Sequence, residues 1–177
     1  MRLVKRGEIV EDPFLHVIDD APVPERGPVI VAAGRLIADA EGFARRADPT
    51  GVVWPNNRRI DELAPYLDRL ALVALVFPSF RDGRAYSQAR QLRENHRFPG
   101  ELRATGQILR DQFVFLLRAG FDAFEVSKDA DAAVFADVLR RYSVFYQPAA
   151  DRRQTALRAR LAVGTDRASV TMEEADR

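Results

Sequence analysis

The sequence predicts an α/β protein with a mostly parallel sheet, and three observations predict it. Leu72-Val73-Ala74-Leu75-Val76-Phe77 is an unbroken apolar run of the length of a strand buried on both faces. From Val52 to Tyr142, strand-like and helix-like stretches alternate repeatedly, the pattern of right-handed β-α-β units. At 177 residues the chain is long enough for one well-buried core and short for two. Successive units of this kind build half of a (β/α) barrel, and a small open doubly wound sheet accounts for the same string. An incomplete barrel leaves sheet edges exposed, which calls for an amino-terminal cover or a second copy of the chain.

Each element follows from its own residues. Short strands are expected around Glu8 to Pro13, and Phe14 to Ile18 is a better apolar run. Pro22, Pro24, Gly27 and Pro28 mark a loop. Val29 to Val31 reads as a strand, and Leu36, Ile37, Ala40, Phe43 and Ala44 make a helical pattern that ends near Asp48-Pro49. Val52 to Trp54 is the next strand. Leu63, Leu67 and Leu70 then share one face of a helix from Ile60 to Leu70, interrupted by Pro65. After the Leu72–Phe77 strand come a helix from Ala85 to His96, a strand from Glu101 to Thr105, and a helix from Gln107 to Ala119 stopped by Gly120. Phe121 to Val126 alternates as a strand does. Asp129 is placed to cap a further helix containing Ala133, Phe135, Ala136, Val138 and Leu139, and Tyr142 to Tyr146 reads as a last strand. Residues 1–148 thus make one α/β domain with a β-rich extension over about residues 1–28. Residues 149–177, charged and rich in small side chains, read as a flexible tail.

Composition narrows the chemistry. A net charge of +1 gives no global field to recruit nucleic acid or an anionic membrane. The absence of cysteine removes disulfides, thiolate catalysis, thiolate zinc sites and the usual iron–sulfur ligation. Two histidines supply multi-histidine metal chemistry poorly, so no metal site is expected. With no apolar span of membrane length, a soluble cytoplasmic protein is the expectation.

Charge is nevertheless uneven. From Phe80 to Arg118 there are eight arginines against Asp82, Glu94, Glu101 and Asp111. Arg81, Asp82, Arg84, Ser87 and Gln88 follow the apolar strand, where α/β proteins hold ligands. Arg103, Gly106, Arg110 and Asp111 bracket the next strand-to-helix junction. Guanidinium groups bind oxyanions through paired hydrogen bonds, Gly106 would admit backbone amides to an anion, and Asp82 and Asp111 would orient the arginines. These nine residues form the candidate anion or ligand site. The same Arg84/Asp82 and Arg110/Asp111 neighbours also read as ion pairs that simply fix the loops. Arg90, Arg93 and Arg97 recur along one helix stripe, which is either a solvated face or a partner-binding surface. Trp54 and the Phe113/Phe115 pair are assigned to the core.

The run from Ala74 to Arg93, then Gly100 to Gln112 and Arg118 to Phe124, resembles the signature of the bacterial family called domain of unknown function 934. The likeness covers roughly Pro28 to Tyr142 and is densest from Phe77 to Phe124. The resemblance implies an oxidoreductase involved in sulfite reduction, working beside an assimilatory sulfite or nitrite reductase. The residues supply no redox centre of their own: there is no Gly-x-Gly-x-x-Gly fingerprint after a strand and no cysteine for a cluster. Two classes therefore stand. One is an accessory protein of sulfur assimilation that contacts the reductase or its electron carrier and needs no cofactor. The other is an α/β enzyme acting on a small anionic or phosphorylated ligand, or a flavin-dependent oxidoreductase.

Overall fold

The computed structural model describes residues 2–18, 21–126, 133–135, 137–138, 144–151, 153 and 155–161. Eight strands form one sheet: β1 (Arg2–Lys5), β2 (Glu8–Val10), β3 (Leu15–His16), β4 (Val29–Ala32), β5 (Thr50–Trp54), β6 (Leu70–Phe77), β7 (Glu101–Gly106) and β8 (Ala123–Val126). Their spatial order is β2-β1-β8-β7-β6-β5-β4-β3. Strands β3 through β8 run parallel, while β1 is antiparallel to both β8 and β2. The α/β class is as expected from the alternation of elements, and of the two architectures that alternation allowed the sheet takes the half barrel.

The amino-terminal residues decide the curvature. β2 and β3 lie at opposite edges of the sheet but are joined by Glu11 to Phe14 alone. Five residue steps span at most about 18 Å, whereas eight strands laid flat put their outer members about 34 Å apart. The sheet has to curl, and the connection crosses its concave side as a strap. Phe14 packs there against Ile30, Leu72 and Ala74, with Val53 beside them.

Period-two alternation sorts the rest. Val73, Leu75 and Phe77 of β6, Leu102 and Ala104 of β7, and Phe124 and Val126 of β8 face the convex side and enter the main core. The helices that cover them are α1 (Ala33–Ala38), α2 (Ala40–Arg45), α3 (Arg84–Arg90) and α4 (Phe113–Ala119). Phe113, Phe124 and Phe135 stack on one another with centroid separations of 5.4, 5.1 and 4.6 Å.

Several helices differ from expectation for local reasons. The single helix expected over Leu36 to Ala44 is two, because Asp39 leaves helical geometry and its carboxylate accepts the Gly42 amide at 3.0 Å to start α2. Ile60–Glu62 and Ala64–Arg69 are 3₁₀ turns rather than an α-helix, since Pro65 has no N–H to give; Leu63, Leu67 and Leu70 are buried all the same. The helix from Ala85 to His96 changes from α to π geometry at Gln91–Asn95. Residues 107–109 are not helical, and α4 starts only at Phe113 after one 3₁₀ turn. Leu109 is therefore exposed, and Phe115 points outward at 65% exposure while Phe113 and Leu116 point in. Trp54 and Phe113 are core residues as expected; Phe115 is not.

Asp129, Tyr142 and residues 162–177 lie outside the described residues. Residues 133–135 and 137–138 are helical, and Phe145 makes one parallel bridge to Thr155. No helix among the described residues is long and apolar enough to cross a membrane.

Gly106 terminates β7 with a φ of +98°, and a Cβ there would press into the Phe77 carbonyl. Gly106→Ala is expected to lower stability by about 1–3 kcal/mol, read from the urea midpoint at unchanged slope. A midpoint equal to wild type would show that the β6–β7 end tolerates a side chain.

Candidate functional site

The nine residues expected to form one anion site are divided by the sheet. Arg103 sits on the concave face, and its guanidinium is fully buried. It donates to both oxygens of Asp12 on the strap (2.6 and 3.1 Å), to Glu101 (2.9 Å) and to Glu125 of β8 (3.2 Å). Its cation lies 5.9 Å from the Phe14 ring centroid. The strand register accounts for this grouping: Arg103 is opposite Ala123, which puts Arg103 and Glu125 on the same face.

The neighbouring groups complete a polar cluster. Thr105 donates to Glu125 at 2.6 Å, and Lys5 of β1 pairs with Glu101. His16 of β3 places Nε2 3.5 Å from Asp12 Oδ2 and 3.6 Å from Glu125 Oε1. Burial alone would push the Asp12 carboxyl up, but the Arg103 hydrogen bond, the Phe14 amide and the nearby positive charges hold it below its ordinary 3.8. Burial works against the Arg103 charge too, and the surrounding carboxylates more than restore it. The cluster closes one end of a cleft of about 620 Å³ whose walls include Leu3, Phe14, Val53, Ala74 and Val76. Apolar walls with a few convergent polar groups are the usual makeup of a small-molecule site.

The other expected residues lie at the carboxyl ends of the strands. Arg84 forks onto Asp82 through Nε and Nη2, at 3.0 and 2.7 Å, which holds the Asp82 carboxyl well below its usual range. Asp82 is a poor proton acceptor as a result. Arg84, Ser87 and Gln88 line a cleft of about 270 Å³ with Asn56, Arg58 and Arg59 from the loop after β5. Gln88 is buried there and donates to the Pro55 and Arg58 carbonyls at 3.1 and 2.9 Å, tying α3 to that loop. Arg58 and Arg59 pair with Glu62 and Asp61. Arg81 is exposed and stacks over Phe80. Arg110 and Asp111 are exposed in the loop after β7, which Gln112 ties to the preceding loop through the Phe80 carbonyl at 3.0 Å. Burial, reinforced by the Asp111 charge, pushes the Tyr86 phenol up to about 12. Gly106 sits at a strand end, seven residues before the start of α4, so its amide is not part of that helix terminus.

The basic stripe separates in the same way. Arg93 turns inward to the Gly120, Phe98 and Gly100 carbonyls at 3.0, 2.5 and 2.9 Å, and it also pairs with Asp122. Arg90 pairs with Glu94 at 3.3 Å, and Arg97 is exposed in a left-handed turn.

Sequence reasoning missed Asp12, His16, Glu125, Arg58 and Arg59. One signal was present in β7 and β8: Glu101, Arg103 and Thr105 alternate with Leu102 and Ala104, and Glu125 interrupts an apolar strand. That alternation marks a polar inner face.

The fold and these two of its clefts define an α/β half barrel, strapped across its concave face, with a buried ionic cluster inside and an arginine-lined cleft at its rim. The chain belongs to the family described as bacterial protein of unknown function (DUF934), whose model matches residues 51–157, from β5 onward. No curated protein matches the chain.

Arg103→Met is expected to cost about 3–5 kcal/mol, since it leaves several carboxylates facing one another in a buried setting. A loss under about 1 kcal/mol in urea unfolding would show that the cluster is solvated enough to dispense with the cation.

The lowered Asp12 pKa means that the folded state binds fewer protons than the unfolded one. Its contribution is fully present above the ordinary value of 3.8 and is lost as pH falls through the folded value. Asp12→Asn should therefore lose stability at neutral pH and show a flatter decline toward acid. Parallel pH profiles for variant and wild type would refute the linkage.

Proposed function

We propose that the protein is an accessory factor of assimilatory sulfite reduction that binds a small oxyanion at the arginine-lined cleft beside α3. One observation carries the oxyanion reading: guanidinium groups from two separate elements, Arg58 and Arg59 after β5 and Arg84 at the start of α3, line a single cleft with Ser87. Their ion pairs use only part of each fork. Arg84 engages Asp82 through Nε and Nη2, Arg58 engages Glu62 through Nη1, and Arg59 engages Asp61 through Nη2. The remaining N–H groups are the kind of donors that sulfite or phosphate accepts. The metabolic setting is the sulfite-reduction role that the sequence resemblance implies, and it is part of the proposal. In this reading the electron carrier belongs to the partner reductase, and Arg81, Arg90, Arg97, Arg110 and Asp111 on the outer surface contribute to contact with it.

Calorimetric titration of the full chain with sulfite and with inorganic phosphate tests the site. Binding of either is expected, and Arg84→Ala or Arg58→Ala should weaken it about tenfold, or about 1.4 kcal/mol. A folded wild type that binds neither anion refutes the oxyanion reading. A flavin spectrum in the freshly purified protein would instead favour an oxidoreductase with its own carrier.

A further inference from the structure

The concave cluster supports an inference that goes beyond the oxyanion reading and uses different residues. We propose that Asp12, His16 and Glu125 form a divalent-metal site of the open, three-ligand kind, facing the concave cleft. The three residues come from the strap, from β3 at one edge of the sheet and from β8 near the other, and each offers a ligand atom within 4.8 Å of the others. The spacing suits a small cation. Two ligands held about 2.1 Å from a tetrahedral ion stand about 3.4 Å apart, and His16 Nε2 lies 3.5 Å from Asp12 Oδ2 and 3.6 Å from Glu125 Oε1. One nitrogen and two carboxylate oxygens suit zinc, and also manganese or ferrous iron.

The hydrogen bonds around these atoms orient them without exhausting them. A carboxylate carries about four lone-pair sites. Thr105 takes Glu125 Oε2, while Arg103 anchors both oxygens of Asp12 and donates to Glu125 Oε1 at 3.2 Å, the oxygen that lies 3.6 Å from His16 Nε2. Such outer hydrogen bonds are what fix ligating carboxylates in metal sites. Around the site, Asp12, Glu101 and Glu125 face Arg103 and Lys5, and Arg2 also lines the cleft. The Arg103 charge opposes a second cation and lowers the affinity relative to that of a structural zinc centre. On the opposite side the imidazole is half-exposed, and the cleft of about 620 Å³ gives water or a small ligand room at the remaining coordination positions.

The test is a titration of the untagged full chain with Zn²⁺ by calorimetry and with Mn²⁺ by broadening of the imidazole proton signals. The chain has only two histidines, so His16→Ala and His96→Ala assign those signals outright. One Zn²⁺ per chain is expected, with selective Mn²⁺ broadening of the His16 signal. His16→Ala should weaken Zn²⁺ at least tenfold, Thr105→Ala by a smaller factor, and His96→Ala not at all. Because His16 is half-exposed, its variant keeps the wild-type circular dichroism and decides the matter even where Glu125→Gln disturbs folding. Absence of Zn²⁺ binding, or His16→Ala binding as tightly as wild type, overturns the proposal. Oxyanion binding at the α3 cleft stands or falls separately.

Discussion

A connection of four residues between opposite edges of an eight-stranded sheet is the constraint on which the rest of this molecule depends. The reach of the chain from Val10 to Leu15 is about half the width of the same sheet laid flat. The sheet therefore closes toward itself, and the strap that closes it runs across the concave side. Arg103 secures the strap by gripping Asp12 with two hydrogen bonds, and Phe14 adds an apolar contact on Ile30, Leu72 and Ala74. Curvature, concave cleft and buried ionic cluster share this one origin.

The two faces of the half barrel treat charge differently. On the concave side a fully buried guanidinium is balanced by carboxylates from the strap, its own strand and the next strand. Desolvation makes such an arrangement expensive, so it persists only where every member is paired. At the rim, the Arg58, Arg59 and Arg84 ion pairs are solvent-exposed to varying degrees and their geometry is local. Exposed pairs of this kind contribute little to stability, and each engages only part of its guanidinium fork. Arginine thus has a holding role inside the curve, whereas at the rim its ion pairs are local and partly solvated.

Much of the fold was legible because each strand carries its own signal. The apolar run of β6 and the alternation in β7 and β8 are local properties, and so is the Gly120 stop, seen as a φ of +102° after α4. Helix detail was less legible where one residue shifts the hydrogen-bond pattern: Asp39 divides a helix, and Pro65 favours 3₁₀ turns. The candidate site was legible in part. Arg84, Ser87 and Gln88 lie on one cleft, but Arg103 lies across the sheet from it, because its place in β7 puts it on the inner face. Position along the chain put Arg103 near the other arginines; strand periodicity separates them.

What the sequence determined by itself is the order of strands and helices, the parallel α/β class and the kinship of residues 51–157, since all three are written in nearby residues. Only the tertiary structure decided that Asp12 meets Arg103, that His16 meets Glu125, and that the amino-terminal strands occupy both edges of the sheet. These contacts join residues 91 or more positions apart, and no local pattern encodes a partner at that distance. They arise when a short strap draws the two edges of a twisted sheet together and the charges on its inner face must neutralise one another.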